Sequence, residues 1–317
     1  MQNNTPMQRY ALTVNDLKKV YTNGTIALRG ITFHIEKGDF FALLGPNGAG
    51  KSTTIGIISW LVNKTSGHVV IGGHDLDTAG ADARLGVGIV PQEFNFGIFE
   101  KVYDIVLAQA GYYGIAPNIA APRVEKYLTA LGLWEKRDVQ ARMLSWGMKR
   151  RLMIARALVH EPEFLILDEP TAGVDLELRH GMYEFLRELN ASGKTIILTT
   201  HYLEEAESLC RNMAIIDKGE IVKYGPIREL LASMEDEVIT IDLDRSYSGS
   251  TLDEYHPVHL ENAVDLTVSS HHTLDRAIQM LQSEWYKIRT MKPKSGRLEE
   301  FFLKSTQESG NLLGQKA

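Results

Sequence analysis

FFALL at positions 40–44 runs without a break into GPNGAGKST at 45–53. Five apolar residues in a row suit a strand covered on both faces, as in a parallel sheet flanked by helices. The next stretch has the spacing Gly-x-x-x-x-Gly-Lys-Ser/Thr, with Gly45, Gly50, Lys51 and Ser52 in the fixed places. Glycines there let backbone N–H groups close around phosphates, and the dipole of a helix starting at this point adds to the attraction. Pro46, Asn47, Gly48, Ala49 and Thr53 complete the loop. Lys51 is expected to reach the β and γ phosphates, and the Ser52 hydroxyl to take Mg2+. Strand, glycine loop and helix in that order imply an α/β nucleotide-binding core.

Two further apolar runs, FLILD (164–168) and TIILTT (195–200), flank a helical stretch at 176–190, the pattern of parallel strands with crossover helices. Each ends in chemistry. Asp168 and Glu169 close the first, suited to a metal shell and to a general base acting on water. His201 follows the second, where an imidazole can face a terminal phosphate, although a lone histidine is more often structural. Gln92, after the short strand GVGIVP, offers a neutral amide fit to bridge Mg2+ and water. Tyr21 is a candidate ring for stacking on a base. The guanine reader Asn-Lys-x-Asp is missing: the nearest string, Asn63-Lys64-Thr65-Ser66, lacks the acid.

The 317 residues allow about two domains. A net charge of −6 argues against nucleic acid as the partner. The single cysteine, Cys210, excludes an intrachain disulfide and fits a reducing compartment. MQNNTPMQRY has no apolar core, so it does not read as a signal peptide. No apolar run reaches the ~20 residues of a membrane span. A soluble, cytoplasmic chain is expected, peripheral on the inner face of the membrane if it serves a membrane partner.

Two alternating strands are expected over 10–35, a mainly helical stretch over 102–159, and a hairpin turning at Lys218-Gly219. Composition shifts near Ala232. The expected division is a nucleotide-binding domain at 8–232, a small α+β domain at 233–306 and a frayed tail at 307–317.

The order GPNGAGKST, Gln92, LSWGMKRR, LILDEP, AGVD and TTH resembles the ATP-binding subunits of ABC transporters over about residues 8–230. SWLVNKTSG, PQEFNF and GMKRRLMIARAL look most like bacterial ABC-2 type exporter subunits. The resemblance implies a P-loop NTPase cassette: a RecA-like parallel sheet with an antiparallel β subdomain and a helical signature subdomain. It also implies that two cassettes, here a homodimer, close around two ATPs. Ser145 and Gly147 would donate to the γ-phosphate across the interface, and Asp175 would cross it. A membrane permease of ABC-2 type is the implied partner. The apolar stretch with Phe94, Phe96, Ile98 and Phe99 would form a groove for a permease helix, unless it is local packing.

One residue departs from the pattern. The family signature reads Leu-Ser-Gly-Gly, whereas this chain has Leu144, Ser145, Trp146 and Gly147. If the turn needs positive φ at 146, a bulky residue there costs ~1–2 kcal/mol. Loss of one γ-phosphate donor would cost ~3 kcal/mol, roughly a hundredfold in rate. The expectation is a slower but working ATPase. The alternatives are an ATP-binding switch with little turnover and a soluble ABC protein outside transport.

Overall fold

The computed structural model describes residues 9–314, apart from positions 172, 175, 235, 270 and 295; the side chains of 176–178 and 308–314 also fall outside the description. The chain divides into two compact units, Met1–Gly225 and Pro226–Ala317. The division falls ahead of the compositional shift near Ala232 because the short helix Ile227–Ala232 packs with the C-terminal helix.

In the first unit, β1 (Tyr10–Val20) and β2 (Ile26–Glu36) form an antiparallel pair, extended by β4 (Ser66–Ile71) and β5 (His74–Asp75) in the order β2-β1-β4-β5. The second sheet contains β3 (Phe40–Leu44), β6 (Val87–Val90), β7 (Phe164–Asp168), β8 (Thr195–Thr199), β9 (Asn212–Asp217) and β10 (Glu220–Pro226). Its order is β10-β9-β3-β8-β7-β6, and the five strands from β9 to β6 are parallel. Every residue of β3 and β8 is buried, which explains their unbroken apolar sequences. Phe33 of β2 stacks on Phe41 of β3 at 5.9 Å, so the two sheets share one core. Lys218 and Gly219 both take positive φ between β9 and β10, as a tight two-residue hairpin turn requires.

Helix α1 (Lys51–Ile58) leaves β3, and α2 (Gly80–Leu85) precedes β6. Between β6 and β7 lie α3 (Val102–Tyr112), α4 (Pro117–Ala130) and α5 (Trp146–Leu158), which pack on one another. Helix α6 (Leu176–Ala191) joins β7 to β8, and α7 (Leu203–Leu209) joins β8 to β9. The carboxyl ends of β3, β6, β7 and β8 lead to the phosphate loop, Gln92, Glu169 and His201. In a parallel sheet these ends share one edge, where ligands bind.

The second unit contains α8 (Ile227–Ala232), β11 (Asp236–Leu243), β12 (Val258–His259), β13 (Ala263–Ser269), α9 (Leu274–Ser283), β14 (Ile288–Pro293) and α10 (Arg297–Gly314). Its antiparallel sheet runs β12-β13-β11-β14 over a core that includes Ile241, Leu266, Tyr255 and Leu281. The tail expected to fray after 306 instead continues α10 to Gly314. No proline interrupts it, and a glycine inside a helix costs only ~1 kcal/mol.

Candidate nucleotide site

The loop after β3 is shaped by close approach. A Cβ on Gly45 would stand 2.2 Å from the Ile216 carbonyl oxygen, so only glycine lets this loop lie against β9. Gly50 caps α1 at φ 115°, and a Cβ there would meet Leu28 and the Ala27 carbonyl within 3 Å. Within the loop, Ala49 is buried. Lys51 is 8% exposed and donates to the Gly45 carbonyl at 2.5 Å and to the Pro46 carbonyl at 3.1 Å. Burial lowers the pKa of its ammonium, while Glu169 and Asp168 pull in the opposite direction. A buried cation whose close partners among the described residues are carbonyl oxygens suits a polyphosphate.

A polar cavity of about 470 Å³ lies over this loop, lined by Pro46, Asn47, Gly48, Gly50, Lys51, Ser52 and Thr53. Thr25, Ile26 and Ala27 also line it, and Tyr21, Gln92, Asp168, Glu169 and His201 bring four further segments of the chain together over the loop. Tyr21 is partly exposed, with its hydroxyl 3.3 Å from Thr53 Oγ1 and the Lys19 ammonium 4.8 Å from its ring centre. The Gln92 amide donates to Glu169 Oε2 at 3.0 Å, and His201 Nε2 stands against Oε1. Glu169 itself adopts φ 50°, a strained backbone state of the kind that gathers at functional sites. Thr199 donates to Asp168 Oδ1, and its carbonyl accepts from the Glu169 N–H at 3.0 Å. The donor set fits a hard divalent ion beside a phosphate: a hydroxyl, an amide and a carboxylate.

Residues 28–172 match the profile of the ABC transporter family. The chain is 40% identical to the linearmycin resistance ATP-binding protein LnrL of Bacillus subtilis (strain 168), over 72% of this chain and 73% of that one. The chain belongs to the ABC transporter family. The cassette is also 42% identical to the Nod factor export ATP-binding protein I of Burkholderia pseudomallei (strain K96243), over 65% of this chain and 68% of that protein. Among solved structures, the cassette resembles cbiO1 of Clostridium perfringens, part of an ABC transporter complex: TM-score 0.65 and 33% identity over 71% of this chain and 92% of that one. A bacterial ABC transporter cassette described as dimeric gives a TM-score of 0.63 at 26% identity, over 68% and 99% of the respective chains. Members of this family hydrolyse ATP to drive transport, as dimeric cassettes joined to transmembrane permeases, and this chain is such an ATPase.

The signature turn opens α5. Ser145 is its N-cap, accepting from the Met148 N–H at 3.3 Å, and Trp146 is the first helical residue. Position 146 therefore has right-handed helical backbone, and the strain expected from positive φ does not arise. Ser145 is exposed, Gly147 is buried, and neither lines the cavity of their own cassette. Asp175 lies outside the described residues.

Two contributors escaped the motif reading. Thr199 ties Asp168 and Glu169 to β8. Arg150, fully buried, donates to the Pro91 carbonyl at 2.8 Å and the Gln92 carbonyl at 2.9 Å, which fixes the main chain beneath Gln92. The signal for Arg150 was its spacing: with Gly147, Ile154 and Leu158 it lies on the buried stripe of α5.

The apolar stretch after Gln92 splits into two roles. Phe94 packs on Phe96 at 5.9 Å and on Trp146 at 4.5 Å, whereas Ile98 and Phe99 remain exposed. A groove does exist, but it is lined by Trp60, Arg84, Leu85, Ile89, Tyr112 and Tyr113, with a volume of about 560 Å³. The part of the stretch that reaches it is its far end, at Tyr112 and Tyr113, and not the phenylalanines. Among the described residues no helix is long and apolar enough to cross a membrane.

Proposed function

We propose that this chain is the ATP-hydrolysing subunit of an ABC-2 type exporter, working as a homodimer on the cytoplasmic face of the membrane. The named relatives support the export reading, since they are described as resistance and export proteins. The observation that carries the reaction is the convergence of Lys51, Ser52, Gln92, Asp168, Glu169 and His201 on one polar cavity.

In this reading Lys51 neutralises charge on the β and γ phosphates. Its present carbonyl partners are weak acceptors that phosphate oxygens readily replace. Ser52, Gln92 and Asp168 would hold Mg2+, which supplies charge neutralisation at the phosphates. Glu169 takes a proton from water on its carboxylate, and the Gln92 amide orients that carboxylate from the Oε2 side. His201 steadies the Oε1 side and faces the γ-phosphate. Tyr21 stacks on the adenine. Ser145 and Gly147, which do not line the cavity of their own cassette, complete the site of the second copy, with Asp175 at the interface. ATP then bridges two chains, and hydrolysis lets them part. The groove beside Tyr112 and Leu85 receives a cytoplasmic permease helix. Residues 8–232 act as the cassette and 233–306 as an accessory domain.

The test is steady-state ATP hydrolysis by the chain co-purified with its permease, compared with Glu169→Gln. Turnover well above that variant is expected. Equal turnover would remove Glu169 from the chemistry, and co-purification with ribosomes instead of membranes would remove transport.

A further inference from the structure

Helix α5 does more than present the signature turn. Along one side it holds the loop that carries Gln92. Arg150 grips the Pro91 and Gln92 carbonyls, and Arg156 donates to the Asn95 carbonyl at 3.0 Å. The Arg150 guanidinium also lies 5.3 Å from the centre of the Phe94 ring. Trp146 meets that same ring from the helix N-terminus, edge to face, with centroids 4.5 Å apart and planes at 63°.

The indole makes a second contact, to a different loop. A Cβ placed on Gly173 would come within 2.7 Å of Trp146 Nε1. The ring therefore lies directly on the Gly173 backbone, in the segment that follows Glu169, Pro170 and Thr171. That segment is folded back on itself by the Val174 N–H bond to the Thr171 carbonyl at 3.1 Å.

We propose that Trp146 is a positioning residue that fastens the loop of Gln92 to the loop following Glu169, and so holds the Gln92 amide in register with the Glu169 carboxylate. The proposal rests on the catalytic reading of Gln92 and Glu169 given above. The contacts form a closed circuit within one chain: Glu169 to Gln92, Gln92 through Arg150 to Phe94, Phe94 to Trp146, and Trp146 to Gly173, four residues from Glu169 in sequence. A glycine at position 146, as the family signature carries, would leave the arginine ties intact and open the circuit at this one link.

Trp146 also differs from a core residue. It is 53% exposed, so much of the indole stays in solvent while its edge and Nε1 bridge two loops. A ring used only for bulk would be buried. Position 146 can carry it because the backbone there is ordinary helix, and Gly173 leaves room for it.

The experiment uses the full chain with its permease and compares wild type, Trp146→Gly, Trp146→Phe, Phe94→Leu and the double variant Trp146→Gly with Phe94→Leu. For each, kcat, the KM for ATP and the Mg2+ concentration at half-maximal rate are measured. Mg2+ dependence reports on Gln92, whereas the KM for ATP reports mainly on the untouched phosphate loop. Trp146→Gly is expected to lower kcat and raise the Mg2+ requirement, in the range of about 10-fold for loss of a supporting partner, with little change in KM. Trp146→Phe keeps a ring against Phe94 and recovers most of the loss. Phe94→Leu reproduces the Trp146→Gly effect, and the double variant is no worse than either single one.

Wild-type kcat and Mg2+ dependence in Trp146→Gly would overturn the proposal. A fall in kcat with unchanged Mg2+ dependence and no recovery in Trp146→Phe would also overturn it, because that is the mark of general packing. Melting midpoints and binding of a fluorescent ATP analogue confirm that each variant is folded. If Trp146→Gly does not fold, Phe94→Leu alone decides through the same Mg2+ readout. Glu169→Gln, run in parallel, separates the two levels: wild-type turnover in that variant sinks the catalytic reading, whatever Trp146 does.

Discussion

The Gln92 amide donates to Glu169 Oε2 at 3.0 Å, joining the segment after β6 to the segment after β7 on the wall of the cavity. Glu169→Gln keeps the size of the side chain and removes its ability to take a proton. Turnover is expected to fall by about 10²–10⁴-fold, the usual worth of a general base. Binding should survive, because Lys51 and the loop backbone are untouched. A hydrolysis assay beside a binding titration with a fluorescent ATP analogue checks both halves. Loss of binding along with turnover would mean that Glu169 supports the fold of the site and not its chemistry.

Lys51 is buried, and burial already lowers the pKa of its ammonium. Without nucleotide, Lys51→Met replaces a desolvated cation by an apolar chain of similar length. The melting midpoint of the free protein should therefore hold or rise. With ATP the order reverses. A ligand at a hundred times its Kd stabilises wild type by about 2.7 kcal/mol, and the variant should lose most of that gain. Thermal melts with and without ATP and Mg2+ give the comparison. An undiminished ATP-induced shift in Lys51→Met would show that the cavity does not use this ammonium.

Much of this site could be read from the chain because its chemistry is local. FFALL and the central residues of FLILD and TIILT are apolar because both faces of the sheet are covered, and each strand delivers its functional residues at or just after its carboxyl end. Arg150 was harder to see. Its partners are backbone carbonyls nearly sixty positions away, and a carbonyl leaves no trace in sequence. Trp146 poses a question that the sequence leaves open for a related reason. The signature pattern suggests a glycine, but not whether glycine is there for φ or for space, and only the helical start at 146 distinguishes the two. Helix α10 outran its expected end because helix–coil balance in a polar tail turns on fractions of a kcal/mol per residue.

Two glycines should respond in opposite directions to the same change. Gly181 lies inside α6 with nothing within 4 Å of a Cβ. Gly181→Ala should stabilise the protein by about 0.5–1 kcal/mol, through the lower backbone entropy of the unfolded chain. Gly45→Ala pushes a methyl into the Ile216 carbonyl and should cost about 1–3 kcal/mol or more, together with ATP binding. Urea midpoints at constant m-value measure both. A stabilised Gly45→Ala would mean that the phosphate loop does not lie against β9.

His160 supplies a pH dependence whose sign can be worked out. Its ring stacks on Tyr113 with centroids 3.7 Å apart, and Nε2 lies 3.0 Å from the Val87 carbonyl. Among the described residues its buried Nδ1 has no hydrogen-bond partner. Burial, opposed by the Val87 carbonyl and assisted by Lys194 and Arg123, lowers the imidazole pKa from 6.5 to about 4. Between those values the unfolded chain holds a proton that the folded chain does not, so stability falls as pH drops from 6.5 towards 4. Protonation at Nδ1 would also bury an N–H with no acceptor. His160→Gln retains a donor able to reach Val87 and cannot take up the proton. The melting midpoint of wild type should therefore drop more steeply than that of the variant across this window, and the two curves should run parallel above it. Equal slopes within the window would show that His160 titrates alike in both states and that its burial carries no such cost.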